Sequence, residues 1–436
     1  MRGIERKMAS EGIGAMLRHK RVLAASLIGT AVEFYDFYIY ATAASLIFPS
    51  LFFPSSSPTA QLMASYGSLA LAFFARPLGA AVFGHYGDRI GRKATLVTSL
   101  MLMGGSTLAI GFLPTYQMIG WWAPLILCIL RFGQGLGLGG EWGGAALLAV
   151  ENAPPGWRAR FGMFPQLGAP VGFIAANGLF LILGMFLTDE DFFAWGWRLP
   201  FLGSAVLVIL GLWIRLKLTE TPEFAAAKAE APPPAVPLAT LFQNHLGAAI
   251  AGTFACAACF AVYYIATAWA LGYGTTALKI DRETFLAIQL GAILFMAFSI
   301  ILAGWWADRS SPTRVLAWGC VGTVAMGVIF GPAMGTGALL PIFLILSLAL
   351  FLMGFVYGPL GAYLPHLFPV QLRYTGASFA FNLGGIIGGA LAPIVATWLI
   401  AAQGVELVGL YMTAVALVSL VGLWFTSRTG KRHAIG

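Results

Sequence analysis

Charge is scarce in this sequence. Asp, Glu, Lys and Arg make up 10% of its 436 residues, whereas a water-soluble globular chain carries about a quarter. With 59% apolar residues, a water-facing surface cannot be assembled, which excludes a soluble enzyme or binding module. Cysteine (four) and histidine (five) are thin as well. Cys256 and Cys259 form a C-x-x-C inside an apolar run with no strand–helix–strand setting, so all four cysteines read as reduced, buried small residues. His19, His85, His245, His366 and His433 lack metal-ligand spacing, and neither a metal nor a cofactor is expected. The +8 net charge would suggest nucleic acid in a soluble chain. Here the positive residues sit in short segments between apolar runs, so the expected partner is the lipid bilayer and not nucleic acid.

What is abundant is apolar length. A bilayer core of roughly 30 Å needs about 20 helical residues per crossing. Twelve segments qualify: 22–48, 62–84, 94–113, 121–149, 161–187, 197–216, 244–271, 284–306, 314–333, 339–365, 374–400 and 405–427. Placing the N-terminus in the cytoplasm puts twenty Lys and Arg on the cytoplasmic side, among them Arg2, Arg18, Arg92, Arg158, Arg215 and Arg373. Only Arg198, Lys279 and Arg282 fall opposite, so both termini are expected in the cytoplasm of a bacterial inner membrane. The stretch 218–243, with Thr221-Pro222 and Pro232-Pro233-Pro234, divides the spans six and six. The expected organisation is a six-helix bundle over 1–217, a cytoplasmic linker over 218–243 and a second six-helix bundle over 244–436.

The halves carry a repeat. Gly84-His85-Tyr86-Gly87-Asp88-Arg89 after the second span matches Gly304-Trp305-Trp306-Ala307-Asp308-Arg309 after the eighth. Glu151, Pro154 and Arg158 after the fourth match His366, Pro369 and Arg373 after the tenth. Concordant anchors on the same side point to duplication, as in transporters that hold substrate between two repeats.

Gly84-x-x-x-Asp88-Arg89-x-Gly91-Arg92-Lys93 resembles the loop signature between helices 2 and 3 of the major facilitator superfamily, and Arg131-x-x-Gln134-Gly135 resembles its fourth-helix motif. Three further segments, Glu33-Phe34-Tyr35-Asp36-Phe37, Arg76-Pro77-Leu78-Gly79 and Gly139-Gly140-Glu141-Trp142-Gly143-Gly144, resemble the metabolite:proton symporter branch. The resemblance spans nearly the whole chain. It implies an all-α membrane protein of two pseudo-symmetric six-helix bundles, the major facilitator fold, working by alternating access on one small metabolite and a proton. It also implies a cytoplasmic gate of Asp88, Arg89, Arg92, Glu151 and Arg158, with Asp308, Arg309 and Arg373 as second-half counterparts. The second half departs from the pattern: Ser310 and Ser311 follow Asp308-Arg309, and His366 stands where glutamate is usual. A weaker second-half gate is expected, with His366 either a pH-responsive element or a plain surface histidine.

A charge at the bilayer centre costs roughly 2.5–3.5 kcal/mol. Five stand inside spans, all in the first half: Glu33, Asp36, Arg76, Arg131 and Glu141. At about 1.5 Å per residue, Arg76 and Glu141 share one depth, and Glu33, Asp36 and Arg131 share the midplane. Depth therefore suggests an Arg76–Glu141 ion pair and an Asp36–Arg131 pair, leaving Glu33, or Glu33 and Asp36 as a coupled pair, to carry the proton. The five can alternatively act as helix clamps. Arg131 can also give up its carboxylate and take an anionic substrate bidentately.

Gly135/Gly139 and Gly140/Gly144, like Gly384/Gly388 and Gly385/Gly389, are spaced for close helix contact in lipid. Tyr35, Arg131, Glu141, Trp142, Tyr263, Tyr264, Tyr357 and Asn382 are the candidate substrate-contacting residues, with packing the alternative for each aromatic. No nucleophile–base pair marks an enzyme. The expectation is a monomeric, proton-coupled importer of a small polar metabolite, an organic mono- or dicarboxylate. A symporter of a zwitterionic osmolyte such as a betaine, a proton-driven exporter and a channel remain alternatives.

Overall fold

The computed structural model describes residues 14–55, 57–90, 92–139, 141–217 and 237–433; the side chains at 84–90, 92–96, 214, 215, 217, 237, 371 and 428–433 fall outside the description. Twelve long helical segments run through the described residues. They are α1 (Lys20–Leu46), α2 (Pro58–Ile90), α3 (Arg92–Gly111), α4 (Trp122–Glu151), α5 (Arg158–Phe186), α6 (Arg198–Lys217), α7 (Leu246–Thr276), α8 (Arg282–Arg309), α9 (Pro312–Gly335), α10 (Leu339–His366), α11 (Arg373–Gln403) and α12 (Glu406–His433). Among the described residues, ten candidate spans are long and apolar enough to cross a membrane. The segment Asp189–Gly196, bent by 45° against Arg198–Trp213, brings in α6, and the described apolar part of α3 is the shorter run Val97–Gly111. The expected linker ends within a short helix, Pro237–Asn244, and residues 218–236 lie outside the described residues.

Side-chain polarity follows the solvent. Trp121, Trp122, Phe186 and Val206 are exposed, while Arg131, Gln134, Gln166 and Asn177 are buried. That inversion is what lipid contact favours, because polar groups must be satisfied inside the protein.

Glycines let the helices approach. A Cβ on Gly135 would collide with the Ala72 backbone, one on Gly139 with the Arg76 carbonyl, and one on Gly79 with the Leu136 carbonyl, so α2 and α4 are in backbone contact. Gly384 and Gly388 press α11 against α7 in the same way. This close approach fixes the depth and direction of Arg76 and Arg131, which stand on the two helices concerned.

Breaks in helical regularity lie on the seam between the halves. α4 is interrupted after Leu138, and the Gly139 carbonyl accepts from Asn382 Nδ2 of α11 at 2.7 Å. α7 contains a π-turn at Ile265–Trp269, whose freed carbonyls are met by Gln289 Nε2 (Ala266 O, 3.0 Å; Thr267 O, 2.7 Å) and, from the first half, by Ser45 (2.9 Å) and Tyr66 (2.8 Å) on Ala268 O. α11 has a second π-turn at Ile386–Ala390, where Gly385 and Gly389 lie against Phe73 of α2. Such turns mark functional hinges in helices.

Overpacking a close contact costs about 1–3 kcal/mol. Gly139→Val is therefore expected to lower the apparent Tm of detergent-solubilised protein by several degrees, whereas Gly29→Ala, with nothing within 4 Å of the added Cβ, should leave it unchanged. Equal thermal unfolding curves for the two variants would contradict the backbone contact.

Candidate functional site

α1 carries the chemistry. Glu33, Asp36 and Phe37 are all buried, at 6%, 1% and 1% exposure. Phe37 is the pivot: the Arg76 guanidinium of α2 lies 4.5 Å from its ring centroid and that of Arg131 from α4 lies 4.2 Å away. Arg131 also lies 4.0 Å from the Tyr40 ring and Arg76 4.8 Å from Phe73. Desolvated cation–π contacts are worth about 2 kcal/mol each. Two such contacts per arginine offset a large part of the burial cost without a carboxylate on each cation.

The acids sort differently from what helical depth suggests. Asp36 and Arg131 do not form an ion pair. A hydrogen-bonded bridge separates them: Arg131 Nη1 donates to Gln134 Oε1 (3.0 Å), Gln134 Nε2 to Thr107 Oγ1 (2.8 Å), and Thr107 Oγ1 to Asp36 Oδ2 (3.2 Å). Arg76 and Glu141 do not pair either. Ser99 donates to Glu141 Oε1 (2.9 Å), Glu141 lies in electrostatic range of Asp36, and the acid in range of Arg76 is Glu33. The physical reason is azimuth: residues at one depth still point to different sides of their helices, and backbone contact between α2 and α4 turns both guanidiniums toward Phe37.

Several polar atoms here have no hydrogen-bond partner among the described residues: Asp36 Oδ1, Arg76 Nε, and Arg131 Nε and Nη2. The last two form one edge of the planar fork, the edge that matches a carboxylate bidentately. With its faces covered by aromatic rings and Nη1 held by Gln134, Arg131 presents that edge alone.

The other candidates fall along the seam. Tyr264 of α7 is in electrostatic range of both arginines and packs on Phe37 at 5.9 Å. Tyr263 stacks on Tyr38 at 5.1 Å, and Tyr357 packs on Phe34 at 6.4 Å. Trp142 stacks flat on Phe381 at 3.8 Å and donates to Gln166, whose amide donates on to the Tyr357 carbonyl across the seam. Tyr35 does not join the cluster on Phe37: its hydroxyl donates to the Pro200 carbonyl of α6 within the first half. Sequence reasoning missed a small central cavity lined by Tyr38, Thr42, Phe173, Thr267 and Gln289. Its volume of about 10 Å³ admits about one water, so no metabolite fits in this state. Buried amides within apolar spans (Gln134, Gln166, Asn177, Gln289) were the available signal for this polar interior.

Both ends of the seam are latched. At the end where α8 finishes, Asp308 accepts from the first-turn amides of α5, Ala159 N (2.8 Å) and Arg160 N (3.0 Å), and pairs with Arg160 Nε at 3.4 Å. A carboxylate on unpaired N-terminal amides meets both their hydrogen-bonding need and the helix dipole. Asp308 thus makes a definite contact across the seam even though Ser310 and Ser311 follow it. Beside it, Glu151, Arg158, His366 and Arg373 line one cleft, so the repeat anchors of the two halves meet. Arg309 lies 3.7 Å from the Trp305 ring, and the side chains of Asp88, Arg89 and Arg92 lie outside the described residues. At the opposite end Arg282 Nη2 pairs with Asp189 at 3.0 Å and rests on Phe192.

A profile of the family described as Sugar (and other) transporter matches residues 22–235. The chain is 49% identical over 418 residues to the inner membrane metabolite transport protein YhjE of Escherichia coli (strain K12), covering 95% of this chain and 94% of that one. It is 36% identical to the shikimate transporter of the same organism, over 94% of each chain. In fold it is similar to the major facilitator superfamily proton:xylose symporter XylE bound to 6-bromo-6-deoxy-D-glucose, with a TM-score of 0.72 at 15% identity over 93% of this chain and 94% of that one.

A charge–dipole contact of ~1–2 kcal/mol shifts a two-state ratio about 5- to 30-fold. Asp308→Ala is accordingly expected to raise maleimide labelling of a Met163→Cys probe, which lies beside Gly304 on the seam, by about tenfold in a cysteine-free background. Labelling at the unmodified rate would mean that Asp308 does not hold this end shut.

Proposed function

This chain belongs to the major facilitator superfamily of multi-pass membrane transporters, and from that premise we propose that it imports a small organic carboxylate together with a proton. It is a metabolite transporter and not an enzyme. The observation that carries the substrate class is the unpartnered Nε/Nη2 edge of Arg131, fully buried between Phe37 and Tyr40. A buried N–H left without an acceptor costs free energy, and a substrate carboxylate would supply the missing acceptor. The relative named a shikimate transporter, a carrier of a carboxylate by its name, agrees with this reading.

Asp36 is the proton site in this proposal. Among the described residues it has no cation within ion-pair distance, one of its oxygens lacks a partner, and Glu141 faces it. Glu33, which depth favoured for this role, is the acid in range of Arg76. A carboxyl held among apolar rings without a counter-ion is most cheaply kept neutral. Loading then proceeds as follows: the seam opens at one end, Tyr264 moves off the two arginines, the substrate carboxylate takes the Arg131 edge, and Asp36 takes a proton. Reclosure is favoured once the added negative charge is balanced, and the opposite latch can then open. The lysine and arginine asymmetry supports placing the Asp308 latch and both termini on the cytoplasmic side. The chain is taken to act as a monomer.

A second reading, a zwitterionic osmolyte, has one observation in its favour. The aromatic faces of Tyr38 and Phe173 line the central cavity and suit a quaternary ammonium.

Uptake into proteoliposomes should separate these readings. A panel of labelled organic acids, shikimate included, set against glycine betaine is expected to show an acid accumulating when the exterior is acidified. Asp36→Asn should abolish that accumulation and retain exchange; Arg131→Lys should raise the KM about tenfold or more. Accumulation of betaine alone, or an Asp36→Asn variant that still concentrates substrate, would reject the assignment.

A further inference from the structure

Two side chains outside the proposed binding groups join them. Thr107 on α3 and Gln134 on α4 are 0% and 1% exposed, and with Asp36 and Arg131 they make an unbroken chain of hydrogen bonds across three helices. Its polarity is fixed by chemistry. Arginine has donors only, so the Gln134 carbonyl must face Arg131 and its amide NH₂ must face Thr107. The Thr107 oxygen is then occupied as an acceptor, and its single proton is left to donate. That proton has two acceptors in reach, Asp36 Oδ2 at 3.2 Å and the Met103 carbonyl at 3.0 Å.

We propose that Thr107 and Gln134 are positioning residues that relay the protonation state of Asp36 to the carboxylate-binding edge of Arg131, with the Thr107 hydroxyl as the two-position switch. With Asp36 ionised, Thr107 donates to it, and the Gln134 amide is held in line by the Thr107 oxygen. Gln134 Oε1 then pins Arg131 Nη1, leaving the Nε/Nη2 edge as the only free one. With Asp36 protonated, the carboxyl no longer demands that donor and the hydroxyl turns to the Met103 carbonyl. The grip on Gln134 and Arg131 slackens, and the guanidinium is free to follow a bound anion. No covalent bond changes; one proton exchanges between Asp36 and solvent when an end is open. The other ionisable groups facing Asp36 are Tyr35 on its own helix and Glu141 on α4, with Glu33 and the cations Arg76 and Arg131 in the same cluster. None of them is hydrogen-bonded to Thr107.

The relay rests on the reading of Asp36 as the proton site, and one ligand-free experiment tests the two separately. In pH-titrated infrared difference spectra of the purified full chain, the Asp36 carboxyl band is identified by its loss in Asp36→Asn. Thr107→Val keeps the shape and removes the hydroxyl, so a donor to the ionised carboxylate is lost. The band's midpoint should move to higher pH by about one unit. Thr107→Ser should restore it. Gln134→Leu touches neither Asp36 oxygen, yet should shift the midpoint in the same direction by a smaller amount, because coupling through the bridge is reciprocal. A midpoint at the wild-type pH in both Thr107→Val and Gln134→Leu would overturn the relay. If Thr107→Val does not fold, Gln134→Leu decides alone. The absence of any titrating band lost in Asp36→Asn would instead refute Asp36 as the proton site.

Discussion

Everything in this fold answers to the burial of two guanidinium groups on one aromatic ring. Arg76 and Arg131 approach Phe37 within 4.5 and 4.2 Å, deep in a span where each charge costs roughly 2.5–3.5 kcal/mol. Stacking on rings at about 2 kcal/mol per contact makes them tolerable without saturating their hydrogen-bonding edges. That distinction matters. A guanidinium neutralised by a carboxylate would be satisfied and inert, whereas one stacked between rings stays charged with its N–H edge open. Backbone contact between α2 and α4, made possible by Gly79, Gly135 and Gly139, puts both arginines where one ring can serve them.

The same ring ties the charged first half to the second. Tyr264 packs on Phe37 and lies in electrostatic range of both cations, so in the proposed cycle opening the seam would expose the arginines and closing it would cover them. Around that centre the second half contributes neutral groups: the carbonyls of the α7 π-turn, Asn382 on the α4 break, and Phe381 on Trp142. Bond-rich but uncharged contacts of this kind can be exchanged for water at modest cost. The ion-paired latches at the two ends, Asp308 with the start of α5 and Arg282 with Asp189, cannot both persist if either end is to open. A closed centre with two competing latches is what the proposed alternating access would require.

Much of this was legible in the sequence. Apolar length gave the helices, glycine spacing gave the close contacts at Gly135, Gly139, Gly384 and Gly388, and five embedded charges in the first half pointed to the candidate site. Pairing was not legible. Glu33, Asp36 and Arg131 share a depth, as do Arg76 and Glu141, but depth fixes only the level of a residue and not its direction around the helix. Tyr35 shows the difference: two positions from Phe37, it reaches Pro200 of α6 instead of the seam. The bridge through Thr107 and Gln134 was hidden for a related reason. Gln134 stands three residues after Arg131, on the same helical face, but nothing in sequence spacing brings α3 between them and Asp36.

The central claim is that a carboxylate and a proton bind to one cluster. It is tested most directly by counting protons taken up when the transported acid binds to purified protein, in a weakly buffered solution with a pH indicator. About one proton per bound carboxylate, lost in Asp36→Asn, is expected above the pH at which Asp36 releases its own. Carboxylate binding with no proton uptake at any pH would contradict it.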